Sequence, residues 1–184
     1  MVHKENQRIA LTRRLLQEGL LRLLRFEKLE NISVTALCKE AGINRATFYN
    51  HYTSPTALLS EMELQFVCEL KQLAKTPSSI DNITDILEQY CIKLKEHGEL
   101  VSILIHYQAD HDIESIFTNM AAYYGKNRLD VNKTQLDADT IHLVSTFLYS
   151  GSYIMVREWL LRGIDKTPRE IAELILSMIS RDYL

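Results

Sequence analysis

Ile43-Asn44-Arg45-Ala46-Thr47-Phe48-Tyr49-Asn50-His51-Tyr52 is the stretch that decides how this chain folds. It spells a short helix that presses one face into a core and leaves the rest outside. Asn44 stands where an N-cap belongs, because its side-chain oxygen can accept from an amide that the first turn leaves without a partner. At 3.6 residues per turn, Phe48 and Tyr52 share one stripe, the expected buried face. Ala46 and Asn50 point the other way. Arg45 and Tyr49 form one rim of that outer face, Thr47 and His51 the other. A small residue flanked by hydrogen-bond donors suits close approach to DNA, where Ala meets base edges or a thymine methyl and hydroxyls reach phosphates. A polar surface helix with two aromatic anchors has the same local pattern, so the neighbouring sequence has to separate the two.

Upstream, Ser33 caps a second helix whose apolar stripe is Val34, Leu37, Cys38 and Ala41, and Gly42 ends it. Helix, tight turn at Gly42-Ile43-Asn44, and helix together make a helix-turn-helix, whose second member enters the major groove in known examples. Before it, residues 6–26 read as a first helix. Ile9, Leu16, Leu20, Leu23 and Leu24 recur at helical spacing, with Arg13, Arg14, Arg22 and Arg25 between them. Those basic side chains suit phosphates or a solvated face equally. Glu27 to Asn31 reads as a polar connection. Downstream, Ser54-Pro55 opens a fourth helix with an N-cap and a proline at the first helical position. It runs to about Lys75 on Leu58, Leu59, Met62, Phe66, Leu70 and Leu73, and Thr76-Pro77-Ser78-Ser79 breaks it. The domain boundary is expected inside this helix, near residue 55, giving a DNA-binding domain over 1–55 and a ligand-binding and dimerisation domain over 56–184. A shared helix couples the two mechanically.

Composition agrees with a folded chain. Of its 184 residues 46 % are apolar, with only three Pro and six Gly, which argues for a substantial core and against disorder. No run approaches the ~20 apolar residues of a membrane helix, and the start lacks a secretory core. Cys38, Cys68 and Cys91 are too widely spaced for a short metal motif and suit free thiols in a cytoplasmic protein. The net charge is −3, but it is unevenly spread. Residues 1–60 carry nine Lys/Arg against five Asp/Glu, a net of +4, and the remainder carries 12 against 19, a net of −7. A basic front and an acidic rear fit a protein that turns one end toward DNA.

Beyond residue 79 the periodicity predicts helices over about 80–97, 99–109, 111–128, 136–163 and 168–182, with no sustained strand alternation. The segment 136–163 is about 42 Å long as a helix. It is apolar around most of its circumference, through Ile141, Leu143, Val144, Phe147, Leu148, Tyr149, Tyr153, Ile154, Val156, Trp159 and Leu160, so it needs cover on several sides. Paired with 168–182 (Ile171, Leu174, Ile175, Met178, Ile179), it is expected to pack one side in its own bundle and the other against a second subunit, since helix-turn-helix readers commonly bind paired half-sites as two-fold dimers.

Residues 32–54, from Ile32-Ser33-Val34-Thr35 through Ala41-Gly42-Ile43-Asn44 and Thr47-Phe48-Tyr49-Asn50-His51-Tyr52, followed by Leu58-Leu59, resemble the DNA-binding domain of TetR/AcrR-type transcriptional regulators. The match covers roughly the first third of the chain. Arg157-Glu158-Trp159-Leu160-Leu161-Arg162-Gly163 and Thr167-Pro168-Arg169-Glu170-Ile171-Ala172 look like the C-terminal region of the branch that includes the activator of a dihydroxyacetone kinase operon. The resemblance implies an all-α dimer of about nine helices: a three-helix DNA-binding domain and a helical ligand-binding and dimerisation bundle. It also implies a near-palindromic double-stranded operator and, usually, a repressor released by a small ligand. Thr35, Arg45, Ala46, Thr47, Tyr49 and His51 match the family's DNA-contact positions. Thr47 and Tyr49 would touch phosphates, Arg45 and Ala46 would lie near bases, and His51 would meet a phosphate or the groove. One departure is that Pro55 or Thr56 stands where the family often has Lys, leaving helix-terminus amides to serve there. A protein-interaction adaptor or coactivator on the same fold is the alternative that this branch allows.

The effector pocket implied by the resemblance would lie among the fourth to eighth helices. Phe66, Cys91, His106, Tyr107, Phe117, Met120, Tyr124, His142 and Tyr149 supply aromatic, sulfur or polar side chains there, and each also fits a plain packing role. His106, Asp110, His111 and Asp112 are the one cluster with metal-like spacing, yet a structural site normally brings a more complete His/Cys set. No metal or cofactor is expected. Neither a nucleophile elbow nor a phosphate-cradling glycine loop is present, so nothing points to an enzyme.

Overall fold

A computed structural model describes residues 2–75, 83–106 and 137–179. Among these residues every regular element is helical, in agreement with the all-α expectation. The order is α1 (Val2–Leu24), α2 (Val34–Ala41), α3 (Arg45–Tyr49), α4 (Pro55–Lys75), α5 (Ile83–Glu96), α6 (Gly98–His106), α7 (Ala138–Leu161) and α8 (Pro168–Ile179), with a 3-10 turn at Leu29–Asn31. The helix expected over 111–128 lies outside the described residues. The chain divides into two compact units, residues 1–66 and 67–184, and the division falls within α4.

In the first unit the core is built from Leu16, Leu20, Leu37, Phe48 and Leu58, all fully buried, with Ile32, Cys38, Ala41 and Tyr52 closing around them. The stripe on α1 differs from the expected one at its start. Ile9 is 38 % exposed, and Thr12 occupies a buried position instead at 8 %. α1 also starts earlier and stops sooner than the periodicity predicts, at Val2 and Leu24. Gly19 explains how closely α1 approaches α2. A Cβ built there would stand 3.1 Å from the Ala41 Cβ and 3.3 Å from its backbone, a separation that only a hydrogen side chain leaves comfortable. One turn on, the Arg22 Nε donates to a Glu40 carboxylate oxygen at 2.5 Å and its terminal nitrogen donates to the Glu40 carbonyl at 3.3 Å, tying the same two helices together.

The second unit is organised around α5. Tyr90, Cys91 and Leu94 are buried along it, as are Leu100, Val101 and Leu104 on α6. The Tyr90 hydroxyl donates to the Leu70 carbonyl at 2.8 Å. α8 packs along α5 through Ile171, Ala172 and Ile175. Its start is a capping box: the Thr167 amide donates to the Glu170 carboxylate at 2.7 Å, the Glu170 amide donates back to the Thr167 hydroxyl at 3.2 Å, and Pro168 takes the first helical position. Arg169, next in line, donates to Asp85 and, at 3.0 Å, to Glu88 on α5, and to Glu173 within α8 at 2.9 Å. These three carboxylates hold its guanidinium protonated to a higher pH than usual. α7 begins at an Asp137 cap, whose carboxylate accepts from the Thr140 amide at 2.8 Å. It ends where Gly163 adopts a left-handed φ of 57°. The Trp159 indole donates to the Lys166 carbonyl at 3.1 Å, and the Lys95 ammonium lies 5.5 Å from the centre of its ring.

Candidate nucleic-acid interface

Three caps set up the helix-turn-helix, each where the sequence places it. Ser33 accepts from the Ala36 amide at 3.1 Å, Asn44 from the Thr47 amide at 2.7 Å, and Ser54 from the Ala57 amide at 3.1 Å. Gly42 closes α2 in the left-handed region at φ 67°, and the Ile43 amide reaches back to the Cys38 carbonyl at 2.9 Å. A side chain at Gly42 would be strained there. α3 is shorter than the quoted stretch, ending at Tyr49. The chain nevertheless continues its turn, because the Tyr52 amide still donates to the Phe48 carbonyl at 2.9 Å. Phe48 and Tyr52 therefore share the buried side as the spacing predicts, at 0 % and 4 % exposure.

The opposite face is open. Arg45, Ala46, Tyr49 and Asn50 are exposed, Thr47 and His51 half-buried, and Thr35 exposed on α2. The structure thus brings the six sequence-predicted contact residues onto two consecutive helices and the turn that follows them. Arg45 reaches back over Tyr49, its guanidinium carbon 5.9 Å from the ring centre, and the Tyr49 ring stands edge-on to Phe48 with centroids 5.6 Å apart. Arg45 also acts on α2: burial pushes the Cys38 thiol up, and the Arg45 charge pulls it part of the way back. Lys39 is exposed on α2, and Thr53 and Thr56 are exposed on either side of the buried Pro55. These hydroxyls and this ammonium add to the polar rim.

A network that the sequence does not reveal fastens the end of α3 from behind. The Tyr52 hydroxyl donates to a Glu61 carboxylate oxygen on α4 at 3.1 Å, and the Gln65 amide nitrogen donates to that same oxygen at 3.1 Å. The Arg13 guanidinium of α1 lies 3.4 Å from it. Burial, and then the Glu61 charge, push the Tyr52 hydroxyl up to about 12. Three elements meet on one carboxylate. Several basic residues of α1 are thereby spoken for: Arg13 pairs with Glu61, Arg14 with Glu18 at 3.6 Å and Arg22 with Glu40. Tyr52 and Glu61 sit on different elements, so no periodic signal links them.

The residues proposed for an effector pocket are placed as follows. Phe66 is buried in the first unit, Cys91 is buried in the second, His106 and His142 are exposed and Tyr149 is half-buried. Tyr107, Phe117, Met120 and Tyr124 lie outside the described residues, as do Asp110, His111 and Asp112. Among the described residues no group of three His, Cys, Asp or Glu side chains is arranged to hold a metal, and no helix is long and apolar enough to cross a membrane.

The TetR_C_8 family, described as a transcriptional regulator C-terminal region, matches residues 81–181, more than half of the chain. No curated protein matches the chain. Several solved structures do, at low identity. A TetR transcriptional regulator from Streptococcus agalactiae shares 19 % identity at a TM-score of 0.66, over 98 % of this chain and 100 % of that one. The dihydroxyacetone kinase operon activator DhaS shares 17 % at 0.62, over 91 % of this chain and 93 % of that one. A TetR/AcrR-family regulator from Aquifex aeolicus shares 16 % at 0.62, over 91 % and 99 %. Such identities speak for the fold alone; the C-terminal match speaks for the family. The chain belongs to the TetR family of transcriptional regulators.

Proposed function

We propose that this TetR-family protein is a cytoplasmic repressor that binds a near-palindromic double-stranded operator as a homodimer and leaves it when a small ligand binds. The observation that carries the reading is α3: a capped helix anchored by buried Phe48, with Arg45, Ala46, Tyr49 and Asn50 outward. Residues 1–55 would read DNA and 56–184 would bind the ligand and dimerise. Thr47 and Tyr49 would take phosphates, Arg45 and Ala46 would approach bases, His51 would meet a phosphate or the groove, and Thr35 would add a contact from α2. Dimerisation is favoured by large apolar side chains that stand exposed among the described residues, namely Leu143, Phe147 and Ile154 on α7 and Met178 on α8. Nothing in this reading calls for a cofactor, or for the protein to act as an enzyme.

A gel shift against the DNA upstream of the protein's own coding region tests it. Sequence-selective binding that weakens steeply with salt is expected, because bound phosphates release counterions. Arg45→Ala should erode discrimination between sites by about 1–3 kcal/mol if its contact to a base is bidentate. A compound that frees the DNA while raising the protein's melting temperature would establish the ligand step.

A second reading has one observation in its favour: the similarity to an operon activator. In that reading the protein works as an adaptor or coactivator through a partner protein. A stable partner in a pull-down, with no affinity for any duplex, would establish it.

A further inference from the structure

We infer that Tyr49 acts on sequence discrimination through Arg45, as the positioning residue for the base-reading guanidinium, in addition to any phosphate contact of its own hydroxyl. This inference rests on the operator-binding reading and deepens it.

Arg45 is the first residue of α3, and Tyr49 lies one turn later on the same rim, the spacing at which side chains meet. An exposed arginine on a long, flexible side chain samples many rotamers, so its end is poorly placed for a contact that needs a defined fork geometry. Here the guanidinium carbon is 5.9 Å from the Tyr49 ring centre, within reach of the attraction between a cation and the negative face of an aromatic ring. The ring is itself held. It packs edge-on against Phe48 at 5.6 Å with an interplanar angle of 79°, and Phe48 is fully buried. A line of support therefore runs from the core through Phe48 and the Tyr49 ring to the Arg45 guanidinium. The hydroxyl of Tyr49 takes no part in it, so the ring and the hydroxyl have separable tasks. The ring sets where Arg45 points, which bears on sequence, and the hydroxyl is free for a phosphate, which does not.

The test uses the full chain and duplexes selected on the wild-type protein from a randomised pool. Affinity for a selected duplex and for a scrambled duplex is measured at fixed salt. Tyr49→Phe keeps the ring and should lower both affinities together, leaving their ratio unchanged. Tyr49→Leu should lower the ratio as well, by about two- to fivefold, the fold-change corresponding to an exposed cation–π contact. In an Arg45→Ala background, Tyr49→Leu should lower the ratio no further. In the free protein, the ring-current shift on the Arg45 side-chain protons should persist in Tyr49→Phe and vanish in Tyr49→Leu. Because Tyr49 is 52 % exposed, the melting temperatures should stay together. A ratio unmoved by Tyr49→Leu, or moved equally by Tyr49→Phe, or lowered again in the Arg45→Ala background, overturns the inference while leaving operator binding intact. A wild-type protein that enriches no duplex and binds none in a salt-dependent way overturns the operator reading, and this inference with it.

Discussion

Asn44 shows what one side chain contributes to the helix-turn-helix. Its carboxamide oxygen satisfies the Thr47 amide at 2.7 Å, so Asn44→Ala should cost ~1 kcal/mol, read as a lower urea midpoint with an unchanged slope. Tyr52 gives a pH-dependent counterpart. Its hydroxyl ionises at about 12, above the ordinary 10.0, because burial and the Glu61 carboxylate both disfavour the phenolate. The folded state therefore holds this proton more tightly than the unfolded chain does. Its contribution to stability is complete below pH 10 and is lost as the pH rises from 10 to 12. Tyr52→Phe should remove one late step from the absorbance titration and flatten the fall in stability over the same interval. The Asn44 cap is legible in the sequence because donor and acceptor are three residues apart. The Tyr52 pairing is not, because Glu61 belongs to another helix whose placement no local pattern encodes.

At the scale of elements, α8 separates apolar packing from ion pairing. Ile175 is 2 % exposed on the face against α5, so Ile175→Ala should cost about 2–5 kcal/mol. Arg169→Met removes contacts to Asp85, Glu88 and Glu173, the last exposed and the other two part-buried. Its effect on melting temperature should be smaller and should shrink as salt is added. A larger, salt-independent loss for Arg169→Met would show that its stem, and not its charge, holds α8 down. The periodicity of Ile171 and Ile175 announces a helix here, and Thr167-Pro168-Arg169-Glu170 is a readable capping box. The partner helix is a different matter, since Asp85 and Glu88 lie more than 80 residues earlier in the chain. α3 shows the opposite limit: its regular helix ends at Tyr49, short of the stretch that periodicity suggests, although the His51 and Tyr52 amides still donate to the Phe48 carbonyl.

At the scale of the molecule, the apolar excess on α7 bears on assembly. Tyr153, Val156 and Trp159 are buried, whereas Leu143 is 69 % and Phe147 77 % exposed, so one side of the helix is packed and another is open. If a second copy covers that open side, Phe147→Glu should convert a dimer to a monomer in sedimentation and reduce operator affinity by far more than any single contact on α3, since two half-sites would no longer be bound as one unit. A dimer that persists in Phe147→Glu would move the interface elsewhere.

By itself the sequence determined the helical class, the three caps, the Gly42 turn and the face of α3 that goes inward, because each depends on residues within about one turn of one another. Tertiary structure alone decided which basic side chains remain open. Arg13 and Arg22 look as available as Arg45 when read along the chain, yet the fold sets them against Glu61 and Glu40. It also decided that Gly19 lies directly against Ala41 and that Glu61 braces Tyr52. These contacts join residues far apart in the chain, and only the crossing of packed helices brings such partners within a few ångströms.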